Sequence, residues 1–389
     1  MAVNFDLTEE QQIIVDSVAK FVANDSNVER FRKLRETPRG WDTDMWERMG
    51  EYGWLGVPFP EEQGGFGGKF VDLALILEQL GRGLVPEPVI PSVVLAGGLI
   101  SRLGSEEQVT RFLQPMMEGK QSLALAYAER QSRYDLHDCR TRAERRGDGW
   151  AITGEKTWVL NGHAADRVVV VARTAGEPRD REGLSLFVVD ADASGLERTP
   201  VNGMDGQRSG LLRFEGVEVN DGRLLGSEGS ALPHLEWAVD RGAAAACAEG
   251  QGEIQELFDR TVAYLKERKQ FDVPIGSFQA LQHKAVDMLA ETEVCRSAMI
   301  LAAIRADSGN EEERQADVSA AKLQLSDGGW FVQENAIQLF GGIGVTDEQD
   351  EGLFFKRLRV LQALFGDADW HVDRFQRLRR FDAEVRAER

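Results

Sequence analysis

Two stretches of this chain carry residue types and spacings that suit phosphate and ring chemistry. Lys266 to Gln279 reads KERKQFDVPIGSFQ, a basic helix end, a proline turn and the start of another helix. Arg268 offers a planar fork of donors, the geometry best matched to a diphosphate. Phe271 and Phe278 supply an apolar wall on either side of the turn, while Asp272, Pro274 and Gly276 reverse the chain and forbid helix continuation. The same residues also read as a solvated basic helix end that complements the helix dipole. The second stretch, Gln338 to Gly344 (QLFGGIG), follows a helix that begins near Glu313. Its bare glycines let a backbone approach a phosphate without a Cβ in the way, or else form a C-cap and turn. A third glycine group, Gly64 to Gly68, lies between helices and not after a strand. It does not qualify as a dinucleotide fingerprint.

The elements that must position these stretches follow from periodicity. From Leu7 to about Ser122 the pattern is helical. Asp6 to Glu10 reads as an N-cap with an acidic first turn, and Ile13, Ile14, Ser17, Val18 and Phe21 share a face. Trp46, Met49, Trp54 and Leu55 suggest a second helix ending at Gly53, Pro58 to Gly68 a loop, and Val71 to Leu80 a third helix. Leu95 to Leu103 and Glu106 to Met117 give two more, joined at Gly104-Ser105. Between about Leu123 and Leu232 the period becomes strand-like: Arg142 to Arg146 and Trp150 to Ile152 form a hairpin around Gly147-Asp148-Gly149. Val168 to Ala172, Leu184 to Asp190 and Leu211 to Val219 are further strands. Short strands without intervening helices predict a small antiparallel barrel or sandwich. From Leu235 the chain is helical again, and Leu281, Ala285, Met288, Leu289, Thr292, Cys295 and Met299 form a buried stripe of the kind found in bundles. The expected domains are 1–122 (all-α), 123–232 (antiparallel β-barrel) and 233–389 (four-helix bundle), an α+β chain.

A chain of 389 residues exceeds one ordinary core, and 42% apolar content is ample for burial. The net charge of -19 argues against nucleic acid and anionic membrane partners, which would repel it. The N-terminus MAVNFDLTEEQQ is not a secretory signal and no apolar run reaches spanning length, so a soluble cytoplasmic protein is expected. Cys139, Cys247 and Cys295 show no metal-ligand or disulfide spacing.

The Arg268 stretch resembles the R-K-x-F-G-x-x-I-x-x-F-Q signature of the acyl-CoA dehydrogenase family, with Asp272 in place of its Gly. The Gln338 stretch resembles that family's Q-x-x-G-G-x-G, and Pro60 to Gly67 its P-E-x-x-G-G-x-G loop. The helical, β, helical order matches over essentially the whole chain. The resemblance implies FAD as cofactor, an acyl-CoA substrate, electron-transfer flavoprotein as electron acceptor and a homo- or heterotetramer. It implies that Arg268, Phe271, Gln279, Gln338, Gly341 and Gly342 hold the FAD of a neighbouring subunit and that Trp158 covers the ring.

Family chemistry removes the α-proton of a thioester while the β-hydride goes to flavin N5, so it needs a carboxylate base opposite the flavin. In the usual E-G-T stretch this chain has Phe365-Gly366-Asp367, and phenylalanine takes no proton. The minority position for the base, on a helix just ahead of an Arg, corresponds to Asp240-Arg241. The family's Y-x-x-T-E-P-x-A-G-S-D corresponds to Leu125 to Asp135, with Ala128 for the Thr and Arg133-Tyr134-Asp135 for G-S-D. Its W-I-T corresponds to Trp158-Val159-Leu160, so two hydroxyl donors to the chain's own flavin are gone. Groups that reach a neighbour's cofactor are kept while groups that hold the chain's own are substituted. In this the sequence is most similar to the small subunit of the pimeloyl-CoA dehydrogenase type. Three functions follow from the resemblance: an FAD-dependent dehydrogenase subunit using Asp240, a non-catalytic subunit completing a partner's FAD sites, or a flavin monooxygenase on the same fold.

Overall fold

The computed structural model describes residues 7–346 and 348–379. In chain order the helices are α1 (Glu9–Asp25), α2 (Val28–Leu34), α3 (Thr43–Glu51), α4 (Phe70–Arg82), α5 (Gly98–Leu103), α6 (Glu106–Gln108), α7 (Gln114–Met117), α8 (Leu232–Glu267), α9 (Gln279–Arg305), α10 (Glu311–Phe340), α11 (Glu351–Ala363) and α12 (Ala368–Arg379). The strands are β1 (Leu123–Ala126), β2 (Arg142–Arg146), β3 (Gly149–Leu160), β4 (Arg167–Arg173), β5 (Leu184–Asp190), β6 (Leu196–Asn202), β7 (Arg208–Asn220), β8 (Leu224–Leu225), β9 (Lys269–Gln270) and β10 (Val273–Pro274). Contacts group the chain into two compact units. One comprises the described residues of Met1–Arg32, Lys69–Val85 and Ala243–Arg389, the other Lys33–Gly68 and Pro86–Gly242.

In the first unit α1 starts where side chains satisfy its free N–H groups. Thr8 Oγ1 accepts from the Gln11 N–H at 3.2 Å and Gln11 Oε1 accepts from the Thr8 N–H at 3.1 Å, a capping box. Asp6, read above as part of this cap, lies outside the described residues. The buried stripe is Val18 and Phe21, whereas Ile13 is 69% exposed. Ile13 lies one residue, about 100° of rotation, off the face that Ile14, Val18 and Phe21 share. The stripe expected on α9 is buried at Met288, Thr292, Cys295 and Met299. It is open at Leu289, which turns away by the same one-residue offset. Helix α10 packs along α9, α11 and α12. Lys284 Nζ donates to Asn335 Oδ1 at 2.8 Å, tying α9 to α10.

In the second unit β2 and β3 form the expected hairpin, closed at Arg146↔Gly149, with Gly147 at positive φ in the two-residue loop. The sheet order is β6-β7-β3-β2-β4-β5-β8 with β1 on β4. The expectation of a purely antiparallel barrel is corrected by two parallel pairings, β1 with β4 and β2 with β4. Among the described residues no pairing joins β6 to β8. Leu123–Ala126 is apolar and buried at all four positions, which suits a covered parallel pairing beside the equally buried β4. Trp150, Ile152, Val168, Val170, Phe187, Val189, Leu212 and Phe214 form the core behind it. The Gly64–Gly68 loop is explained by its own packing: a Cβ on Gly65 would lie 2.2 Å from the Phe59 carbonyl oxygen.

Candidate functional site

The Arg268 stretch folds as a miniature hairpin. Helix α8 gives out at Glu267, the Arg268 N–H still reaches the Tyr264 carbonyl at 2.9 Å, and the Ile275 N–H donates to the Arg268 carbonyl at 2.8 Å. Strands β9 and β10 pair at Gln270↔Val273, leaving Phe271 and Asp272 as a two-residue loop, both at positive φ (+53° and +64°). Two successive left-handed residues make a type I′ turn. Asp tolerates that conformation through its short polar side chain, whereas for Phe it costs about 1–2 kcal/mol. Phe271 is nevertheless 87% exposed, its ring edge-on to Phe278 at 6.1 Å. Arg268 is exposed beside it, as is Gln279, the first residue of α9. The N-cap of α9, Phe278, offers no side-chain acceptor to the helix's free N–H groups.

The second stretch meets the first through a contact the sequence reading missed. Tyr264, one helical turn before Arg268, stacks on Phe340 at 4.3 Å with the planes 16° apart. The i, i+4 spacing of Tyr264 and Arg268 was a usable signal; its partner 76 positions on was not. Phe340 leads into Gly341 (φ +68°, ψ -145°), a conformation close to glycine-only. Added Cβ atoms on Gly341 and Gly342 would meet nothing within 4 Å, in contrast to Gly65. The chain itself gives no packing reason for Gly342, and Gln338 beside it is exposed. Arg268, Phe271, Gln279, Gln338, Gly341 and Gly342 are thus gathered at one end of the α8–α10 helices as an open, cationic, Cβ-free surface.

The other compact unit carries Trp158, Asp240 and Arg241. Trp158 sits at positive φ (+51°), 59% exposed, where the β3–β7 register shifts between Lys156 and Val159. Beneath it lies a buried ion pair, a second feature that sequence reasoning passed over. Lys156 Nζ donates to Glu129 Oε1 at 2.8 Å and to the Tyr127 carbonyl at 3.2 Å. Glu129 also accepts from the N–H groups of Arg140 and Thr141. Burial opposes ionisation of Glu129, but Lys156 and these donors outweigh it and hold the carboxyl down to about 2. Ala128 accepts from the Thr157 N–H at 2.9 Å through its backbone and brings no hydroxyl. Asp240 and Arg241 are buried on α8, 1% and 7% exposed. The Arg241 guanidinium lies 4.8 Å from the Trp237 ring centre, as does that of Arg102.

Phe365 is buried at φ +62° in the turn between α11 and α12. That turn is clamped from α10 and α12. Lys322 Nζ donates to the carbonyls of Leu361 and Gln362, at 2.5 and 3.1 Å. His371 Nε2 packs where a Cβ on Gly366 would be, 2.6 Å away. Burial pushes the Lys322 ammonium down to about 8 and the His371 imidazole down to about 2. Among the described residues the non-glycine positive-φ positions are Leu84, Arg133, Trp158, Asn161, Phe271, Asp272 and Phe365. All but Leu84 and Asn161 fall on stretches matched above to family motifs, and Asn161 directly follows one of them.

Three sequence families cover nearly all of the chain: acyl-CoA dehydrogenase N-terminal domain at residues 8–120, middle domain at 124–217 and C-terminal domain at 232–377. The chain belongs to the acyl-CoA dehydrogenase family. It is 32% identical over 352 residues to the probable acyl-CoA dehydrogenase YngJ of Bacillus subtilis, covering 89% of this chain and 91% of that one. It is 30% identical over 371 residues to the short-chain-specific acyl-CoA dehydrogenase of Clostridium acetobutylicum, covering 94% and 97%. Among solved structures, a chain of the ChsE4–ChsE5 complex of Mycobacterium tuberculosis is 26% identical with a TM-score of 0.86, covering 96% of this chain and 98% of that one.

The family is one of FAD-dependent oxidoreductases acting on acyl-CoA thioesters, and its three-domain fold has helical first and last domains. The open glycine surface at the same helix end as Arg268 has room and charge suited to an FAD diphosphate, since nothing lies within 4 Å of where a Cβ on Gly341 or Gly342 would be. Ala128 and Leu160 have no side-chain hydroxyl to donate to a flavin. Among the described residues no helix is long and apolar enough to cross a membrane.

Proposed function

We propose that this chain is a subunit of an FAD-dependent acyl-CoA dehydrogenase in which Arg268, Phe271, Gln279, Gln338, Gly341 and Gly342 grip the FAD of a neighbouring subunit. The observation that carries this reading is Phe271, 87% exposed at positive φ at the same end of the α8–α10 helices as two glycines that face open space. Arg268 would take the diphosphate through its planar fork and Gln279 and Gln338 would hydrogen-bond around it. When bound, FAD supplies the acceptor for the β-hydride of the acyl thioester. Asp240 would take the α-proton: its carboxylate is shielded from bulk water, which keeps a proton transfer directed at the substrate. Trp158, on the same compact unit, would present its exposed face to the ring. The electrons would pass to electron-transfer flavoprotein, and the domains would be bounded near 122 and 232.

The second reading is a heteromer in which this chain completes the FAD sites of a distinct dehydrogenase chain. Ala128 and Leu160 without hydroxyls and Phe365 without a carboxylate favour it, as does the likeness to a chain of a two-protein complex. Flavin counted per chain in the visible spectrum of the protein purified alone separates the two. Near-stoichiometric FAD means a self-sufficient homo-oligomer; a colourless protein that turns yellow only with a second dehydrogenase chain means a heteromer. In the self-sufficient assembly Asp240→Asn tests the base: α-proton exchange of an acyl-CoA with solvent deuterium is expected to vanish with flavin content unchanged. Exchange that persists removes Asp240 from that role.

A further inference from the structure

In a chain with 65 acidic and 46 basic residues, Arg39, Arg198 and Arg208 make no ion pair among the described residues. Each is instead fixed to backbone or amide oxygens around one turn of the second compact unit. Arg39 Nη1 donates to the Ala164 carbonyl at 3.4 Å, and Arg198 Nη1 donates to the next carbonyl, Ala165, at 2.8 Å. Arg208 donates to Asn202 Oδ1 at 3.0 Å and to the Arg35 carbonyl at 3.3 Å. The Arg39 guanidinium also lies over the Trp41 ring, 4.7 Å from its centre. At the centre is His163, whose Nε2 lies 2.9 Å from the Arg39 carbonyl oxygen and whose Nδ1 is buried with no hydrogen-bond partner.

These groups are kept together by the backbone and not by countercharge. A Cβ on Gly210 would lie 2.8 Å from the His163 nitrogen, so β7 presses directly on the turn. Arg198 and Arg208 project from the same face of the β6–β7 ladder, because Arg208 pairs with Asn202, four residues along β6 from Arg198. The electrostatic record of the cluster agrees. Burial, then the guanidiniums of Arg208, Arg198 and Arg39, hold the His163 imidazole below its ordinary value. Burial and Arg39 also lower Arg198, against the pull of Asp166 and Asp192. Asp166 is already engaged by the N–H and hydroxyl of Ser122, and Asp192 is exposed.

We infer that Arg39, Arg198 and Arg208, gathered around the His163 turn, form a binding site for a phosphate-type oxyanion. Three half-buried guanidiniums oriented in advance lose little side-chain entropy on binding, and a dianion with tetrahedral oxygens can accept from several planar forks at once. The anion is either free phosphate or the phosphomonoester of a larger ligand such as the 3′-phosphate of coenzyme A. The site does not depend on the reaction proposed above, since it uses none of the same residues.

The test is calorimetric titration of the full-length protein, in its native assembly, with inorganic phosphate at constant ionic strength, then with CoA and with 3′-dephospho-CoA. Saturable phosphate binding is expected, weakened about tenfold or more by Arg198→Gln or Arg208→Gln, the effect of deleting one charge-assisted pair. Arg213→Gln on the same sheet, an exposed arginine paired with Glu215, serves as the control and leaves binding unchanged. Competition between phosphate and CoA, with 3′-dephospho-CoA failing to compete, assigns the site to the CoA phosphate. Phosphate that still binds when CoA is saturating assigns it to a separate anion. Absence of saturable binding by either phosphate or the CoA phosphate, or binding that Arg198→Gln and Arg208→Gln both leave intact while circular dichroism shows native fold, overturns the inference.

Discussion

Replacing Lys156 by Met is expected to cost this protein about 3 kcal/mol of unfolding free energy at neutral pH, the low end of what breaking a buried ion pair costs. The magnitude follows from the surroundings. Lys156 is fully buried and Glu129 nearly so, and the ammonium donates to Glu129 and to the Tyr127 carbonyl. Methionine fills the stem but strands the carboxylate. Glu129 keeps the N–H donors of Arg140 and Thr141 at 2.8 and 3.0 Å, so the loss falls short of an isolated buried charge. The folded-state value of Glu129 is depressed to about 2, so its contribution is present above its unfolded value, 4.5, and is lost as pH falls from there through about 2. Urea unfolding monitored from pH 3 to pH 7 should show wild-type stability falling below pH 4.5 more steeply than that of Lys156→Met. Glu129→Gln/Lys156→Met should recover part of the loss. A single Lys156→Met change costing less than about 1 kcal/mol, or an acid slope identical in all three proteins, would refute the argument. Because β3 carries Trp158 two residues after Lys156, Trp158 fluorescence should become more accessible to quencher in the same variant.

Two glycine substitutions should separate packing from ligand space. Gly65→Ala is expected to destabilise the fold by about 1–3 kcal/mol, since its Cβ would collide with the Phe59 carbonyl. Gly342→Ala should leave thermal stability nearly unchanged while lowering FAD retained through gel filtration; equal flavin content in wild type and variant would sink the cradle assignment. Arg268→Ala should weaken FAD retention about tenfold or more, read by flavin release on dilution, and undiminished retention would remove Arg268 from the diphosphate. Burial raises Glu351 above its ordinary value, so its share of stability is present at low pH and is lost as pH rises through the raised value. Glu351→Gln should therefore be more stable than wild type at pH 7, by on the order of 1 kcal/mol, with the gap closing toward pH 4; a destabilised variant at pH 7 would show that the charge is compensated.

Sequence alone determined the features that depend on a few consecutive residues. The N-terminal start of α1, the β2–β3 hairpin, the α4 helix and a chain reversal after Arg268 all follow from local preferences that act before the chain has any tertiary contact. The same holds for the helical, β, helical order, since periods of 3.6 and 2 are written along the chain. The gathering of Arg268 with Gly341 was legible only as two separate motifs. What joins them is Tyr264 on Phe340, a contact between residues whose separation in sequence carries no signal. Tertiary structure also decided that β1 lies parallel to β4, because an apolar run buried on both faces is compatible with either direction until its neighbours are fixed. It decided that Ile13 and Leu289 face outward, since a helical stripe is wider than the groove it fills. It placed Lys156 on Glu129, and it fixed Arg39, Arg198 and Arg208 around His163 to backbone and amide oxygens, with no ion pair among the described residues. Charges are strong or weak according to burial and partner, and both are properties of the folded chain: composition counts them, and only packing sets what each one does.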